Sequence, residues 1–362
     1  MKTTETGAQS LKDKWAARRR EVKPKSISVS PESLVEVGFL NEGQELPLVI
    51  RPVRKEVNLM AWLRSHGDYV EEQLLKYGGI LFRGFATPTQ SHFEQFIKAI
   101  NLPLMEYMEG ATPRKKLGDK VYTSTEFPPE RSISIHNELC YVLTWPMKIL
   151  FFCLVAPPVG GETPIGDVRK VWKRLSPETQ ARFAEHGWLL LRNFGDGFGL
   201  PWQTSYHVSE RAALEDYFRE ARISFEWLDE ERLRTRQFRP AITKHPRTGE
   251  TVWFNHIGFW HESSLEPELR RIFLEEWREE GLPFNTYYGD GSRISEETIA
   301  ELRRAYDAET IAFRWEVGDI LLLDNMLVAH GRCPFEGPRK ILTAMGEPYT
   351  RQDMPAPAES LS

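Results

Sequence analysis

A chain of 362 residues with 41% hydrophobic and 27% charged residues has ordinary globular composition, and it can bury one large core or two modest ones. Its 47 basic and 52 acidic residues give a formal net charge of −5, which argues against a nucleic-acid-binding protein. Three cysteines without a C-x-x-C pair provide no disulfide framework, and the longest apolar run, 149–158, is too short to cross a bilayer. With no apolar signal segment at its start, the chain is predicted to be cytoplasmic and without a membrane segment.

The two ends differ in composition from the rest of the chain. Residues 1–25 hold eight Lys or Arg against three Asp or Glu, and we expect residues 1–28 to form a flexible basic tail. The alternative is an arm that binds an acidic partner protein. Residues 353–362 are expected to be disordered. No repeat or linker divides residues 29–352, which are therefore expected to form a single domain.

Helical and strand patterns are mixed along this region. Amphipathic patterns predict helices, in chain order, near 58–77, 89–100, 167–186, 209–221, 265–280 and 294–307. Apolar, β-rich runs predict strands at 79–82, 149–155, 188–192, 251–255, 311–315, 320–324 and 341–345. Gly318-Asp319, between two of these runs, predicts a hairpin turn. Because strands and helices do not alternate strictly, we expect an α+β fold with a largely antiparallel β core and helices packed outside.

One alternating segment, 132–138, carries a candidate metal-binding pair. On a strand, side chains two apart point to the same face, so His136 and Glu138 would share a metal while Asn137 points away. Two His and one carboxylate form the facial triad of non-haem iron(II) oxygenases. The H-x-E tripeptide alone is weak evidence, because such tripeptides occur by chance.

The second histidine of such a triad must come from elsewhere in the chain. His330 ends an apolar run that begins at Gly318, and we expect this run to deliver it as a strand into a turn, His330-Gly331-Arg332. A histidine that is simply satisfied at a strand end explains the same pattern equally well.

An arginine in the following strand indicates an anionic ligand. Arg339, Ile341, Thr343 and Met345 would lie on one face of an apolar segment, and a buried arginine needs an anionic partner. A ligand carboxylate would satisfy it; the alternatives are an ion pair with Asp324 or Glu347. Arg332 competes for the carboxylate, although its turn position favours a solvated or structural role.

Together these motifs resemble the taurine/2,4-D dioxygenase superfamily of 2-oxoglutarate enzymes. The resemblance covers about residues 30–350 and is nearest to a branch like the syringomycin-cluster aspartyl hydroxylase. It rests on the following segments: His136-Asn137-Glu138, Gly160-Gly161-Glu162-Thr163, Asp324-Asn325, His330-Gly331-Arg332 and Arg339, with 192–203 and 253–256 pointing to the branch.

The resemblance implies a double-stranded β-helix, or jelly roll, with flanking helices. It implies that His136, Glu138 and His330 bind Fe(II), and that Thr163 and Arg339 bind 2-oxoglutarate, with O2 as the other co-substrate. Related halogenases lack the carboxylate ligand, so Glu138 favours hydroxylation. Thr343 stands where taurine dioxygenase has a sulfonate-binding arginine, which argues against a sulfonate substrate.

The substrate site is less defined by sequence. Asn255 and His256 lie among aromatic residues, and Arg131 and Arg192 would pair with a substrate carboxylate; a core aromatic stripe and surface charges are the alternatives. We expect hydroxylation of an amino acid or a derived substrate in natural-product biosynthesis, either as a small molecule or bound to a carrier protein. Desaturation, epoxidation or another rearrangement uses the same cofactors, and a non-catalytic jelly roll is the remaining alternative. The sequence allows a homo-oligomer.

Overall fold

A computed structural model of the protein describes residues 34–105, 121–123, 127–195, 197 and 200–351. The predicted tails, 1–28 and 353–362, lie outside these residues and stay predictions, as does the single domain. No helix in the described part of the chain is both long and apolar enough to cross a membrane.

Two of the sheets form the core of the molecule. The larger has seven strands in the order β1-β2-β3-β16-β6-β19-β4, all antiparallel except β2 with β3. Its strands are β1 (Val35–Phe39), β2 (Leu48–Pro52), β3 (Gly79–Phe82), β4 (Val121–Thr123), β6 (Thr144–Val155), β16 (Ile320–Asp324) and β19 (Lys340–Thr350). The smaller, in the order β15-β8-β17-β5, consists of β5 (Ile133–His136), β8 (Ile165–Asp167), β15 (Thr310–Ile311) and β17 (Val328–Arg332). Together they form the predicted jelly roll.

Three further sheets extend this core. A four-stranded sheet, in the order β10-β11-β9-β14, contains β9 (Trp188–Phe194), β10 (Ser224–Trp227), β11 (Leu233–Arg239) and β14 (Phe284–Tyr288). Two strand pairs complete the set: β7 (Val159–Gly160) with β18 (Phe335–Glu336), and β12 (Ile242–Lys244) with β13 (Thr251–Trp253).

The alternation of side chains along β16 divides the core into two layers. Leu321 and Leu323 belong to one buried cluster, whereas Ile320 and Leu322 belong to another. Successive strand residues point to opposite faces, so a strand that is apolar throughout must be covered on both sides. The second cluster packs the first three helices on the seven-stranded sheet, and the first cluster fills the space inside the jelly roll, where the candidate site lies.

The helices lie outside the sheets. They are α1 (Leu59–Ser65), α2 (Gly67–Tyr77), α3 (Gln90–Ala99), α4 (Val168–Arg174), α5 (Pro177–His186), α6 (Trp202–Tyr206), α7 (Arg211–Glu220), α8 (Ile257–Trp260), α9 (Pro267–Trp277) and α10 (Glu296–Glu309), with 3-10 turns at Glu262–Ser264 and Glu279–Gly281. Each predicted helix is found, but 58–77 and 167–186 are each broken into two. At the second break Ser176 accepts the Thr179 amide and Pro177 begins the new helix, because proline cannot continue the old one.

Two predictions about strands near the C-terminus are wrong. Gly318-Asp319 does not form a hairpin, because β15 and β16, which flank it, belong to different sheets. The predicted strand 311–315 is reduced to Thr310–Ile311, since Phe313 and Trp315 pack into the first cluster instead of pairing.

Candidate metal centre

The two candidate histidines face each other across a strand pair. His136 ends β5 and is the register partner of His330 in the middle of β17, with their ring centroids 4.7 Å apart. The run from Gly318 to His330 is therefore two strands, broken by a turn at 325–327, and His330 does not lie in a turn as predicted. Strand pairing, not strand end, sets the position of this histidine.

The carboxylate arrives by a turn. The predicted strand 132–138 ends at His136, and Glu138 stands in the turn that follows. Leu139 next to it has a φ of 54°, a left-handed conformation that is uncommon for leucine, and its side chain is buried. Simple strand alternation was therefore the wrong reason for expecting His136 and Glu138 together, although they do come together.

The three side chains form a compact cluster of potential ligands. One ligand atom from each of His136, Glu138 and His330 lies within 4.8 Å of the others, and His330 Nε2 is 3.7 Å from Glu138 Oε2. That separation is longer than a hydrogen bond and is near the spacing of about 3–4 Å between neighbouring ligands on one metal ion.

The protonation state of His136 suits a metal ligand. Its Nδ1 donates to the Ser134 carbonyl at 2.8 Å, which leaves the lone pair on Nε2. Burial, together with the neighbouring His330 and His256, lowers the pKa of His136 well below its ordinary value, so the ring is neutral. His330 Nδ1 is buried and finds no hydrogen-bond partner in the described structure. The donor set fits a divalent transition metal such as iron(II).

Asn325 fixes the backbone of Glu138, a role that sequence reasoning did not find. Its side-chain oxygen accepts the Glu138 amide at 2.8 Å, and its side-chain nitrogen donates to the carbonyls of Glu138 and Pro146 at 2.8 and 2.9 Å. Asn137 in turn donates to the Asn325 carbonyl at 2.6 Å. The Asp324-Asn325 motif beside β16 was the available signal.

Asn255 and His256, predicted to bind substrate, lie behind the cluster. Both ends of the Asn255 amide bind backbone, at Ala241 and Ile257. The His256 ring is 5.3 Å from that of His136; its Nε2 donates to the Asn137 carbonyl, and its Nδ1 accepts from Trp260. Burial lowers the pKa of His256 to about 4. These bonds hold the loop around the ligands, and direct contact with a substrate stays a prediction.

Thr163 and Arg339 lie on the segments that flank β7 and β18. The Thr163 hydroxyl is buried and accepts from Trp315 Nε1 at 3.2 Å, and Arg339 Nε donates to the Gly161 carbonyl at 3.0 Å. Burial, and then the charge of Arg332, lower the pKa of Arg339 to about 10, which indicates a site that favours an anion.

The sequence left open two carboxylates as other partners of Arg339, and Arg332 as a competitor for the ligand carboxylate. Asp324 is bonded to His245 at 3.0 Å, and Glu347 pairs with Lys148 and Arg247, so the structure gives both carboxylates other partners than Arg339. Arg332 donates to the carbonyls of 127, 128 and 131, which is a structural role.

His245 and Thr343 are both buried. His245 accepts two backbone amides of its own turn and contacts Asp324. Thr343 lies inside the jelly roll opposite Phe151, whose ring is 5.0 Å from that of His330. The Thr343 hydroxyl is fully buried and has no hydrogen-bond partner in the described residues.

A cavity of about 600 Å³ contains the other two predicted substrate residues, Arg131 and Arg192. Ser134, two residues before His136, and Trp260, which donates to His256, also line it; none of the three candidate ligands does, so the cavity adjoins the residues that support the cluster. Glu130 and Glu266 add acidic groups. The cavity therefore offers charged groups of both signs beside aromatic surface.

Comparison with known proteins agrees with this geometry. The model of the taurine catabolism dioxygenase TauD, TfdA family matches residues 44–345. The dapdiamide synthesis protein DdaC of Enterobacter agglomerans is 37% identical over 279 residues, which cover 77% of this chain and 85% of the relative. A clavaminate synthase-like protein of Arabidopsis thaliana is 27% identical over 326 residues, with 84% and 94% covered.

Solved structures share the fold at low identity. PvcB, described as an Fe, alpha-ketoglutarate dependent oxygenase from an isonitrile synthetic pathway, is 18% identical with a TM-score of 0.52, covering 88% of this chain and 93% of its own. A taurine dioxygenase of Burkholderia xenovorans is 16% identical with a TM-score of 0.52, covering 89% and 96%. These likenesses confirm the jelly-roll architecture.

Proposed function

The chain belongs to the taurine catabolism dioxygenase TauD, TfdA family, and we propose that it hydroxylates an unactivated C–H bond of an amino acid or an amino-acid-derived substrate. It is a non-haem iron(II)- and 2-oxoglutarate-dependent dioxygenase. The observation that carries the assignment is the cluster of two imidazoles and one carboxylate inside the jelly roll.

In this proposal His136, Glu138 and His330 hold the iron. The bound metal supplies the redox chemistry that couples reduction of dioxygen to oxidative decarboxylation of 2-oxoglutarate. The protein keeps His136 neutral by burial and orients its ring through the bond to the Ser134 carbonyl. Because Glu138 fills the carboxylate position, the set leaves no place for the halide that halogenation needs.

Arg339 and Thr163 bind 2-oxoglutarate in the same proposal. A guanidinium whose pKa is lowered by burial gains most from a carboxylate, and Arg339 presents such a group beside Gly161. The Thr163 hydroxyl accepts from Trp315 and keeps its own hydrogen to donate to a ligand oxygen. Thr163 is buried and Arg339 is half-buried, which limits the access of water to the co-substrate.

The substrate class is supported by the cavity and by one relative. Arginines and glutamates that line one cavity suit a substrate with both carboxylate and ammonium groups. The relative DdaC is named for dapdiamide synthesis, which favours a role in natural-product biosynthesis. Thr343, in place of a second arginine, disfavours a sulfonate. A carrier-bound substrate and a homo-oligomer are compatible with this proposal, and three free cysteines suit a reducing cytosol.

Desaturation, epoxidation or another oxidative rearrangement is the alternative outcome with the same cofactors. Product mass identifies desaturation, which removes two hydrogens; hydroxylation and epoxidation both add one oxygen atom and are separated by NMR of the product.

Metal binding under anaerobic conditions tests the ligand assignment. Wild-type protein should bind one iron(II) per chain and develop a visible charge-transfer band with 2-oxoglutarate, then release succinate when substrate and air are added. His136→Ala and Glu138→Ala should lose the iron and the band, whereas His92→Ala, remote from the cluster, should keep both. Iron binding that is unchanged in both ligand variants would show that the metal lies elsewhere.

A further inference from the structure

Arg192 occupies an unusual position in the cavity wall. It lies in β9, between its register partners Thr235 and Phe284, and only 6% of the residue is exposed. Its guanidinium nitrogen Nη1 is buried and has no hydrogen-bond partner among the residues that the structure describes. Since an arginine keeps its charge in proteins, this position buries a cation whose hydrogen-bonding capacity is not fully used.

Aromatic rings surround this cation. The Arg192 guanidinium carbon is 4.6 Å from the centre of the Phe194 ring, 5.4 Å from that of Trp260 and 6.0 Å from that of Tyr206. Ring faces attract a cation, but they offer no acceptor for its N–H groups. The rings therefore surround the N–H groups of Arg192 without supplying a hydrogen-bond acceptor for them.

Other arginines nearby are paired. Arg234 and Arg236, on the neighbouring strand β11, lie within 4 Å of Glu226, and Arg234 also reaches Glu280. Arg131, across the same cavity, is 3.9 Å from Glu266, and about half of its side chain is exposed. Among the described residues, no ion pair or hydrogen bond to a carboxylate is found for Arg192.

We propose that the Arg192 guanidinium, which contacts the rings of Phe194 and Trp260, binds a carboxylate of the substrate. A bound carboxylate would satisfy Nη1 in surroundings of low polarity, where a charge-assisted hydrogen bond is strong. Glu130 and Glu266 on the same cavity would face an ammonium group. This inference rests on the proposed function, and it names the anchor that selects carboxylate-bearing substrates for the oxygenase.

Unfolding of the iron- and 2-oxoglutarate-loaded protein tests the anchor without turnover. Excess 2-oxoglutarate occupies the co-substrate site, and propionate is compared with propionamide as a probe. Propionate should raise the unfolding temperature of wild type more than propionamide does, and Arg192→Met should abolish this difference. Arg236→Gln, which changes a paired arginine on the neighbouring strand β11 outside the cavity lining, should retain it. An equal response of wild type and Arg192→Met to propionate would overturn the inference.

The unfolding temperature without propionate separates an anchor from a structural arginine. An arginine kept for binding leaves an unsatisfied charge in the empty site, so Arg192→Met should unfold at the same temperature as wild type or higher. Arg192→Lys, which keeps the charge but not the planar fork, should remain folded and respond weakly to propionate. A marked loss of stability in both variants would assign Arg192 to the fold and overturn the inference.

Substrate screening then identifies which carboxylate is bound. Succinate release stimulated by free L-amino acids, but not by their α-amides, assigns the α-carboxylate. Release stimulated by aspartyl or glutamyl α-thioesters assigns a side-chain carboxylate on a carrier-bound substrate. In either case Arg192→Met should weaken binding about 10- to 100-fold. Release that needs no carboxylate contradicts the inference, whereas failure to bind iron contradicts the proposed function itself.

Discussion

Replacing Asn325 should weaken metal binding at the candidate centre, because Asn325 fixes the backbone of Glu138 although it is not itself a ligand. The Asn325 side chain is fully buried and forms three hydrogen bonds, two of them to the backbone of Glu138. It contributes no ligand atom to the cluster. Its effect on iron binding must therefore act through the position of Glu138.

The magnitude follows from the groups left behind. Asn325→Ala removes the partners of the Glu138 amide and of the Glu138 and Pro146 carbonyls. A buried backbone group that loses its partner costs about 1–3 kcal/mol, so the three groups together lower the free energy of unfolding by about 3–9 kcal/mol. Domains have only about 5–15 kcal/mol in total, so this is a severe loss. A disturbed partner of a ligand typically weakens metal binding about 10- to 100-fold.

Two further substitutions separate the causes. Asn325→Leu fills the volume but leaves the same groups unpaired, so it should resemble Asn325→Ala if hydrogen bonds dominate over the cavity. Asn325→Asp keeps an acceptor for the Glu138 amide but turns a second oxygen toward two carbonyls, and it should also weaken the site. Asn41→Ala, which removes an exposed amide bonded to Gln44, is the matched control.

Denaturant unfolding measures the free energy of unfolding, and competition with an iron chelator measures the iron affinity. We expect both quantities to fall in the Asn325 variants and to stay unchanged in Asn41→Ala. If Asn325→Ala stays within about 0.5 kcal/mol of wild type and keeps its iron affinity, these hydrogen bonds do not hold Glu138 and the reasoning is refuted.

Two other predictions concern the packing of Gly161 against Arg339 and the pH dependence of stability. Gly161 has a φ of 72°, and a Cβ there would lie 2.6 Å from Pro157 Cγ and 3.0 Å from Arg339 Cδ, so Gly161→Ala should displace Arg339 and raise the Kd for 2-oxoglutarate. Gly43→Ala is the control, because Gly43 has a similar φ of 77° but open space around it, so this variant shares only the backbone strain. Equal Kd values in titrations of the two variants would contradict the prediction. Burial lowers the pKa of His261 from its ordinary 6.5 to about 4, so the unfolded state takes up a proton first as pH falls. The stabilisation from this group is therefore full above pH 6.5 and is lost towards pH 4. The free energy of unfolding changes by at most ~1.4 kcal/mol per pH unit because of it. In urea unfolding between these pH values, the free energy of unfolding should depend less steeply on pH in His261→Gln than in wild type. An unchanged pH dependence would exclude His261 as the cause.

The sequence was sufficient where a local pattern carries the information. The apolar strand 320–324 is found with the predicted bounds, because a continuous apolar run of a few residues already specifies a strand covered on both faces. The family, the cofactors and the candidate ligands followed from short motifs. Their chemistry depends on residue type, and each motif keeps its spacing when the chain folds.

Contacts between distant segments were decided only by the tertiary structure. Asn325 and Glu138 are 187 residues apart, and no local period relates them. The same holds for His256, whose ring nitrogens are both used by Asn137 and Trp260, although composition alone suggested a polar group open to substrate. Local sequence specifies which groups are present, whereas packing decides which of them find partners.

Arg131 and Arg192 illustrate that difference most directly. As residues in a sequence they were equivalent candidates for binding a carboxylate. The fold places Arg131 half-exposed beside Glu266, and it places Arg192 among aromatic rings with a buried nitrogen that no described residue pairs. The sequence by itself determined the family, the iron chemistry and the presence of both charges. Only the tertiary structure decided which charge is left for a ligand, because solvation and pairing depend on neighbours that the chain brings together by folding.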